Sequence, residues 1–274
     1  MLNRRNNDFM DIELLANKIN LNSELKNNVL SLVERDRAKL ISLCKKADND
    51  NFKSVFSKND MIKLAVALLY SVEFTYPKYQ KAVISDEIYF ETMKDIAVWC
   101  ENNNNKGLKN LPWIKNHLNF ELFKLGRLQF QFYKCNNKLL DYSLFPFDYG
   151  EKVIYVHIPQ GEKLTLESVR ESIIQGMAFW GKEMPYLCHS WLLYPGLKDI
   201  LPEKSNIIMF QNQFQIVETD WDEREAEWRI WGKVQRNLNV YSENTSLQRA
   251  AKKYLKSGKV LGSGLGILKP EYFL

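Results

Sequence analysis

KVIYVHIPQGEKLTLESVRESI (residues 152–173) changes its period halfway along. Its first third, KVIYVHIP, is nearly continuous in apolar residues, the pattern of an inner strand with both faces covered. Gly161 then allows a tight turn. Thr165 is placed to cap a helix over roughly 164–180, with Glu167 in its first turn. Strand-to-helix junctions hold phosphates because the first amides of a helix have no partner within it. Two readings stand at this point: a phosphate cradle, or a plain corner.

The flanking segments continue the β and α alternation. Upstream, GRLQFQFYK (126–134) alternates strictly, with Leu128, Phe130 and Phe132 on one side and Arg127, Gln129 and Gln131 on the other. That predicts a strand with one buried face. A further strand is expected in LLDYSLF (139–145), after a CNNK turn. Downstream, YLCHSWLLYP predicts a strand ended by Pro195, and GLKDILPEKSNIIMFQNQF one broken or two short helices around Pro202. QIVET and EAEWRIW read as strands, and SLQRAAKKYLKSG as a helix stopped by Gly258. GSGLG (262–266) opens no helix, fails the context test for a phosphate loop and reads as a flexible or closely packed tail.

Residues 1–120 have a different texture. SELKNNVLSLVER places Leu25, Val29, Leu32 and Val33 on one helical face. MIKLAVALLYSVEF predicts a buried helix, Ser85 starts DEIYFETMKDIAVWC, ENNNNKG is a polar break, and Pro112 suits the first turn of LPWIKNHLNFELF. The expected fold is α+β: a helical N-terminal domain (1–120), then a mixed sheet flanked by helices (121–274).

Bulk composition narrows the function classes. Thirty-eight basic residues against 33 acidic give a net charge of +5, without a basic stripe, which argues against a nucleic-acid partner. The longest apolar run, LAVALLY (64–70), is far short of the ~20 residues a membrane helix needs. Four separated cysteines without a C-x-x-C pair, and only three histidines, predict no metal site and fit free thiols in the cytoplasm. Nothing in the sequence specifies an oligomeric state.

The order of elements, with LGRLQFQ (125–131), VHIPQG (156–161), CHSWLLYPGL (188–197), SNIIMFQNQF (205–214) and TSLQRA (245–250), resembles bacterial acyltransferase-domain proteins that join a helical N-terminal domain to a GNAT-like C-terminal domain. The resemblance spans essentially the whole chain. It implies an acyl-CoA-dependent N-acyltransferase, with acetyl-CoA or another acyl-CoA as co-substrate, a small-molecule amine or peptide as acceptor, and no membrane partner. It places the cofactor on Ile158, Gln160, Gly161, Lys163, Thr165 and Asn206. The GNAT loop Q/R-x-x-G-x-G/A is degraded here to QGEKLT, without its second glycine. The usual tyrosine that protonates the departing thiolate is replaced by Phe210, which has no proton to give.

Direct amine attack on a thioester needs a base, an oxyanion donor and an acid. His157, at the end of its strand with Val153 and Tyr155 on its face, is one base; Glu218, in the acidic run ETDWDEREAEW, is another. Ser190 or Tyr194 would supply the proton that Phe210 cannot. Each has a plain structural alternative: a histidine bonded to backbone, a solvated acidic edge. Cys188 and His189 point to opposite faces of one strand and form no dyad by adjacency. The departures at the glycine motif and Phe210 leave a second functional reading open, a catalytically inactive GNAT-like protein that binds CoA or another ligand in a regulatory role.

Overall fold

In the computed structural model, residues 10–136, 141–221 and 224–269 are described, and the chain divides into two units, Met1–Leu125 and Gly126–Leu274. The first is helical: α1 (Ile12–Lys18), α2 (Ser23–Asp50), α3 (Lys53–Phe56), α4 (Asp60–Tyr70), α5 (Tyr76–Lys81), α6 (Asp86–Glu101) and α7 (Leu111–Leu118). The apolar run 64–70 falls in α4, where every residue from Leu64 to Tyr70 is buried. A helix apolar all round belongs in the middle of a core. Asn59 starts α4 by accepting the Ile62 amide at 2.9 Å. Against α4 packs α2, which buries one stripe (Leu25, Val29, Val33, Leu40, Cys44, Ala47) and kinks at Asp36. A π-helical turn, Ser71–Thr75, joins α4 to α5, and the Thr75 hydroxyl donates to the Leu118 carbonyl at 2.7 Å.

The asparagine run is a built turn. Asn104 and Asn105 take left-handed backbone angles, which asparagine tolerates. At Gly107 (φ +111°) a Cβ would stand 2.5 Å from the Asp60 backbone, so only glycine fits.

Six strands form one mixed sheet: β1 (Leu122–Leu125), β2 (Leu128–Lys134), β3 (Lys152–His157), β4 (Tyr186–Ser190), β5 (Phe214–Asp220) and β6 (Ser263–Leu268), in the order β1-β2-β3-β4-β6-β5. β3 and β4 run parallel; β2/β3, β4/β6 and β5/β6 are antiparallel. One face carries Leu128, Phe130, Ile154 and Val156 and is covered by α8 (Leu166–Trp180), whose Val169, Ile173 and Met177 are buried. Gly176 lets α8 lie close on the sheet, since a Cβ there would meet the Phe130 ring at 2.6 Å. Burying a ring such as Phe130 contributes about 1.5–3 kcal/mol. The remaining helices are α9 (Asn206–Gln211), α10 (Glu225–Trp231) and α11 (Ser246–Lys256), the last opened by a Thr245/Gln248 capping box.

Four sequence expectations need correction. EAEWRIW is helix α10, not a strand: Glu225 and Arg229 pair across one turn at 2.9 Å, and Ala226 and Ile230 share the inner face. LLDYSLF is not a strand over its described part; residues 142–144 make a 3-10 turn, while 139–140 lie outside the described residues. YLCHSWLLYP stops being a strand at Ser190 and closes into 3-10 turns. The glycine-rich tail is β6, inserted between β4 and β5. Its glycines are required there: a Cβ at Gly264 would stand 2.5 Å from the Leu193 carbonyl oxygen, and one at Gly266 2.9 Å from the Leu193 side chain. No helix among the described residues is long and apolar enough to cross a membrane.

Candidate active site

Between β3 and β4 the ladder stops early. The two strands pair only at Ile154↔Tyr186 and Tyr155↔Leu187, although β3 continues to His157 and β4 to Ser190. Each keeps its outer neighbour to the end, β3 with β2 (His157↔Gln129) and β4 with β6 (Ser190↔Gly264). The Ile154 amide donates to the Pro185 carbonyl at 2.8 Å, so alternate amides of β3 are aimed toward β4. Continued past the last pair, that alternation directs the Val156 carbonyl and the Ile158 N–H from one side, and the His189 N–H from the other, into the gap. The result is a notch in the middle of the sheet lined by backbone hydrogen-bonding groups.

The sheet face opposite α8 mixes polar side chains with apolar ones, of which Leu187 is buried in a cluster with Phe147. Cross-strand register places Gln129, Gln131, Tyr155, His157, Leu187, His189, Leu265 and Ile267 on it. A β-bulge between Ile216 and Glu218 adds Glu218 and Asp220 to the same face. Without the extra residue both carboxylates would point to the other side. Asp220 Oδ2 lies 2.6 Å from His189 Nε2, and both side chains are about two-fifths exposed (42% and 39%). A carboxylate there accepts the Nε2–H, orients the ring, and leaves Nδ1 as the lone-pair nitrogen.

His157 is half-buried on this face, with its Nε2 2.9 Å from Gln131 Oε1 and its ring 5.5 Å from that of Tyr155. Glu218 stands across β6 from His189, exposed and opposite Leu265. Ser190 is on the helix-covered side, where its hydroxyl accepts the Leu192 amide at 3.2 Å. Tyr194 lies beyond the strand, nearly buried; its hydroxyl accepts from Trp221 Nε1 at 3.3 Å and meets Tyr254, whose own hydroxyl burial and this bond push up to about 12. Cys188 is fully buried, and burial pushes its thiol well above the usual range, which disqualifies it as a nucleophile at neutral pH. Phe210 is a core residue, 5.1 Å from Phe214.

After β3 the loop 158–165 leads into α8. Thr165 caps the helix by accepting the Ser168 amide at 3.2 Å. Gly161 sits at φ +139°, with nothing within 4 Å of where a Cβ would be. Lys163 is exposed, and Asn206 is in the first turn of α9. Arg127, in the two-residue turn between β1 and β2, reaches this loop: its Nε donates to the Glu162 carbonyl and its Nη1 to the Pro159 carbonyl, each at 2.9 Å. Burial lowers the guanidinium's pKa, and the Glu162 charge opposes that shift.

The sequence shows neither the pairing of His189 with Asp220 nor the reach of Arg127 to the loop. For His189 the strand alternation was a usable signal, but its partner is 31 positions away and faces it only through the bulge. The helical unit has an open groove of about 1610 Å³, lined by apolar Val33, Val72 and Phe90 and by acidic Glu13, Glu34 and Glu87. None of the residues expected to be catalytic lines it. Among the described residues no cluster of three or more His, Cys, Asp or Glu is placed to hold a metal ion.

Residues 122–268 match the family model for a GNAT-like C-terminal domain, and residues 7–120 match that for an N-acyltransferase N-terminal domain. No curated protein matches the sequence. Among solved structures, an acyltransferase in complex with CoA and 10C-teicoplanin superposes with a TM-score of 0.75 at 19% identity, covering 98% of this chain and 89% of that one. An acyltransferase in complex with decanoyl-CoA and teicoplanin gives 0.73 at 19% identity, over 94% and 87%. An acyltransferase in complex with decanoyl-CoA gives 0.74 at 16% identity, over 94% and 86%. At such identities the likeness is one of fold.

Proposed function

The chain belongs to the N-acyltransferases that join an N-terminal domain of this kind to a GNAT-like C-terminal domain, and on that premise we propose that it transfers an acyl group from acyl-CoA to an amine by direct attack, with His189 as the base. The carrying observation is the arrested β3/β4 ladder beside the His189–Asp220 pair. The pantetheine arm lies in the notch as a strand-like insert, its amides meeting the unpaired backbone edges. The pyrophosphate rests on the loop 158–165, where Gln160, Gly161, Lys163 and Thr165 surround the start of α8.

The acceptor arrives as an ammonium. His189 Nδ1 takes one of its protons, and the freed nitrogen lone pair attacks the thioester carbon. A C–N bond forms, and the carbonyl oxygen becomes an oxyanion facing the backbone N–H groups at the notch, with the Ile158 N–H first among them. Collapse breaks the C–S bond. The new amide nitrogen gives up its surplus proton, and the thiolate leaves as CoA after taking one. Asp220 holds the ring in the required tautomer and offsets the imidazolium charge.

His157 and Glu218 stand on this face as polar neighbours: the partner of His157 is the neutral Gln131 amide, which does not offset an imidazolium charge as a carboxylate does, and Leu265 separates Glu218 from His189. A histidine paired with a carboxylate beside the notch favours the active reading over an inactive one. The acceptor is an amine-bearing small molecule or peptide, a class in keeping with the fold neighbour that was crystallised with teicoplanin. For the donor, medium-length acyl chains are the first to try, since the neighbours were crystallised with octanoyl- and decanoyl-CoA. Four buried free thiols suit a reducing, cytoplasmic compartment.

The test begins with thermal shift on the wild type. At 100 times Kd, decanoyl-CoA should stabilise the protein by ~2.7 kcal/mol. CoA release is then followed with a thiol-reactive dye across a panel of amines. No binding of any acyl-CoA overturns the reading, and turnover that survives His189→Ala overturns the assignment of the base.

A further inference from the structure

We propose that Arg127 is a positioning residue for the acyl-CoA pyrophosphate: its guanidinium holds the Pro159 and Glu162 carbonyls inward and thereby turns the amides of the β3–α8 loop outward to the phosphates. This rests on the acyl-CoA reading above.

The geometry follows from peptide planarity. In a trans peptide the C=O and the next residue's N–H point in opposite directions. The Pro159 carbonyl shares its peptide with the Gln160 N–H, and the Glu162 carbonyl shares its own with the Lys163 N–H. Two carbonyls drawn onto one guanidinium, each at 2.9 Å, aim those two N–H groups away from it. Between them lies Gly161, with open space around it. Amides turned to one side of a loop that feeds a helix make an anion-binding concavity. A second glycine would give such a loop its shape through backbone freedom. Here the side chain of another strand's turn gives it from outside.

The brace has a fixed base. Gly126, at φ +65°, brings the β1–β2 turn against α8, where a Cβ would stand 3.2 Å from Ser172 Oγ. The Leu128 amide donates to that same oxygen at 2.8 Å. Arg127 is thus anchored to the first half of α8 while its side chain grips the loop that precedes it. The planar fork serves two carbonyls at once, which a lysine ammonium, a single point charge, does not reproduce. The loop buries no apolar core of its own, since Gln160 through Lys163 are exposed. A purely architectural role would spend a half-buried charge on a segment that stabilises little. Two of the guanidinium nitrogens are committed to carbonyls, so Arg127 acts through the loop rather than as a phosphate ligand.

The experiment compares wild type, Arg127→Ala and Arg127→Lys by calorimetry with two probes, CoA and S-decanoyl-pantetheine, the second lacking the pyrophosphate. Arg127→Ala should raise the Kd for CoA about tenfold, equivalent to ~1.4 kcal/mol, and leave that for S-decanoyl-pantetheine unchanged. Arg127→Lys, which keeps the charge and the fold, should lose most of the same factor and stands in if the alanine variant does not fold. Unchanged CoA affinity in the variants, or an equal loss with both probes, overturns the role of Arg127. A wild type that binds neither probe overturns instead the acyl-CoA reading on which it rests.

Discussion

Asp220→Asn separates the chemistry of the His189 pair from its contribution to stability. The 2.6 Å contact looks strong, but both side chains are about two-fifths exposed, and solvent screening limits such a pair to at most ~1 kcal/mol. For a chain of this size that shifts Tm by about 2–4 °C. The catalytic cost should be larger. A general base contributes about 10²–10⁴-fold, and losing the anion that orients the ring and offsets the imidazolium should remove ~10–10² of it, or about 1.4–2.7 kcal/mol of barrier. His189→Ala should lose the whole factor. The assay is initial-rate CoA release with a saturating amine, beside a thermal melt of each variant. An Asp220→Asn enzyme within about threefold of wild type would show that the carboxylate does not serve the base, and the same result for His189→Ala would return the role to His157 or Glu218.

Three further outcomes test the fold. Val83 is 91% exposed at φ +56°, a β-branched residue in the left-handed region; Val83→Gly relieves ~1–2 kcal/mol and gives back ~0.5–1 in chain entropy, so its urea midpoint should rise, and a fall would sink the strain argument. Gly264→Ala forces a Cβ to within 2.5 Å of the Leu193 carbonyl and should cost ~3 kcal/mol; a loss under ~1 kcal/mol in urea melts would mean that β6 and the turn after β4 can separate cheaply. Burial pushes the thiols of Cys44 and Cys100 up to about 12 and raises that of Cys188. A raised folded pKa gives stability that is complete below the unfolded value of ~8.5 and declines as pH climbs past it. The urea midpoint should therefore be lower at pH 10 than at pH 7, and these thiols should resist a thiol reagent at pH 8 until urea exposes them; equal midpoints would contradict the burial.

What the sequence made legible was what local periodicity encodes. LQFQFYK alternates and is β2; LAVALLY is apolar all round and sits in the helical core; Thr165, Ser85 and Gly258 mark helix ends where the rules of capping put them. What escaped depends on distant partners. EAEWRIW fits both a period of two and a four-residue step, and the inward pair Ala226 and Ile230 with the Glu225–Arg229 bridge decides for helix. GSGLG carries almost no side-chain pattern because two of its glycines, Gly264 and Gly266, answer to Leu193, some 70 positions earlier, on which β6 closes. Of the proposed site, the loop at Gly161 and the strand end at His157 could be named from the sequence. Its centre could not, since one inserted residue in β5 decides which way Asp220 points.

The strand order has a consequence for how the protein is made. β5 has a single neighbour in the sheet, β6, which is synthesised more than forty residues later. A growing chain must therefore carry β5 with an unmatched edge through α10 and α11, the kind of waiting strand that slows folding and invites aggregation. Asp220 reaches His189 only after β6 has slid between their two strands. A nascent or C-terminally clipped chain would thus keep the notch-forming β3 and β4 yet lack the assembled pair, and activity would appear only when the final strand locks in.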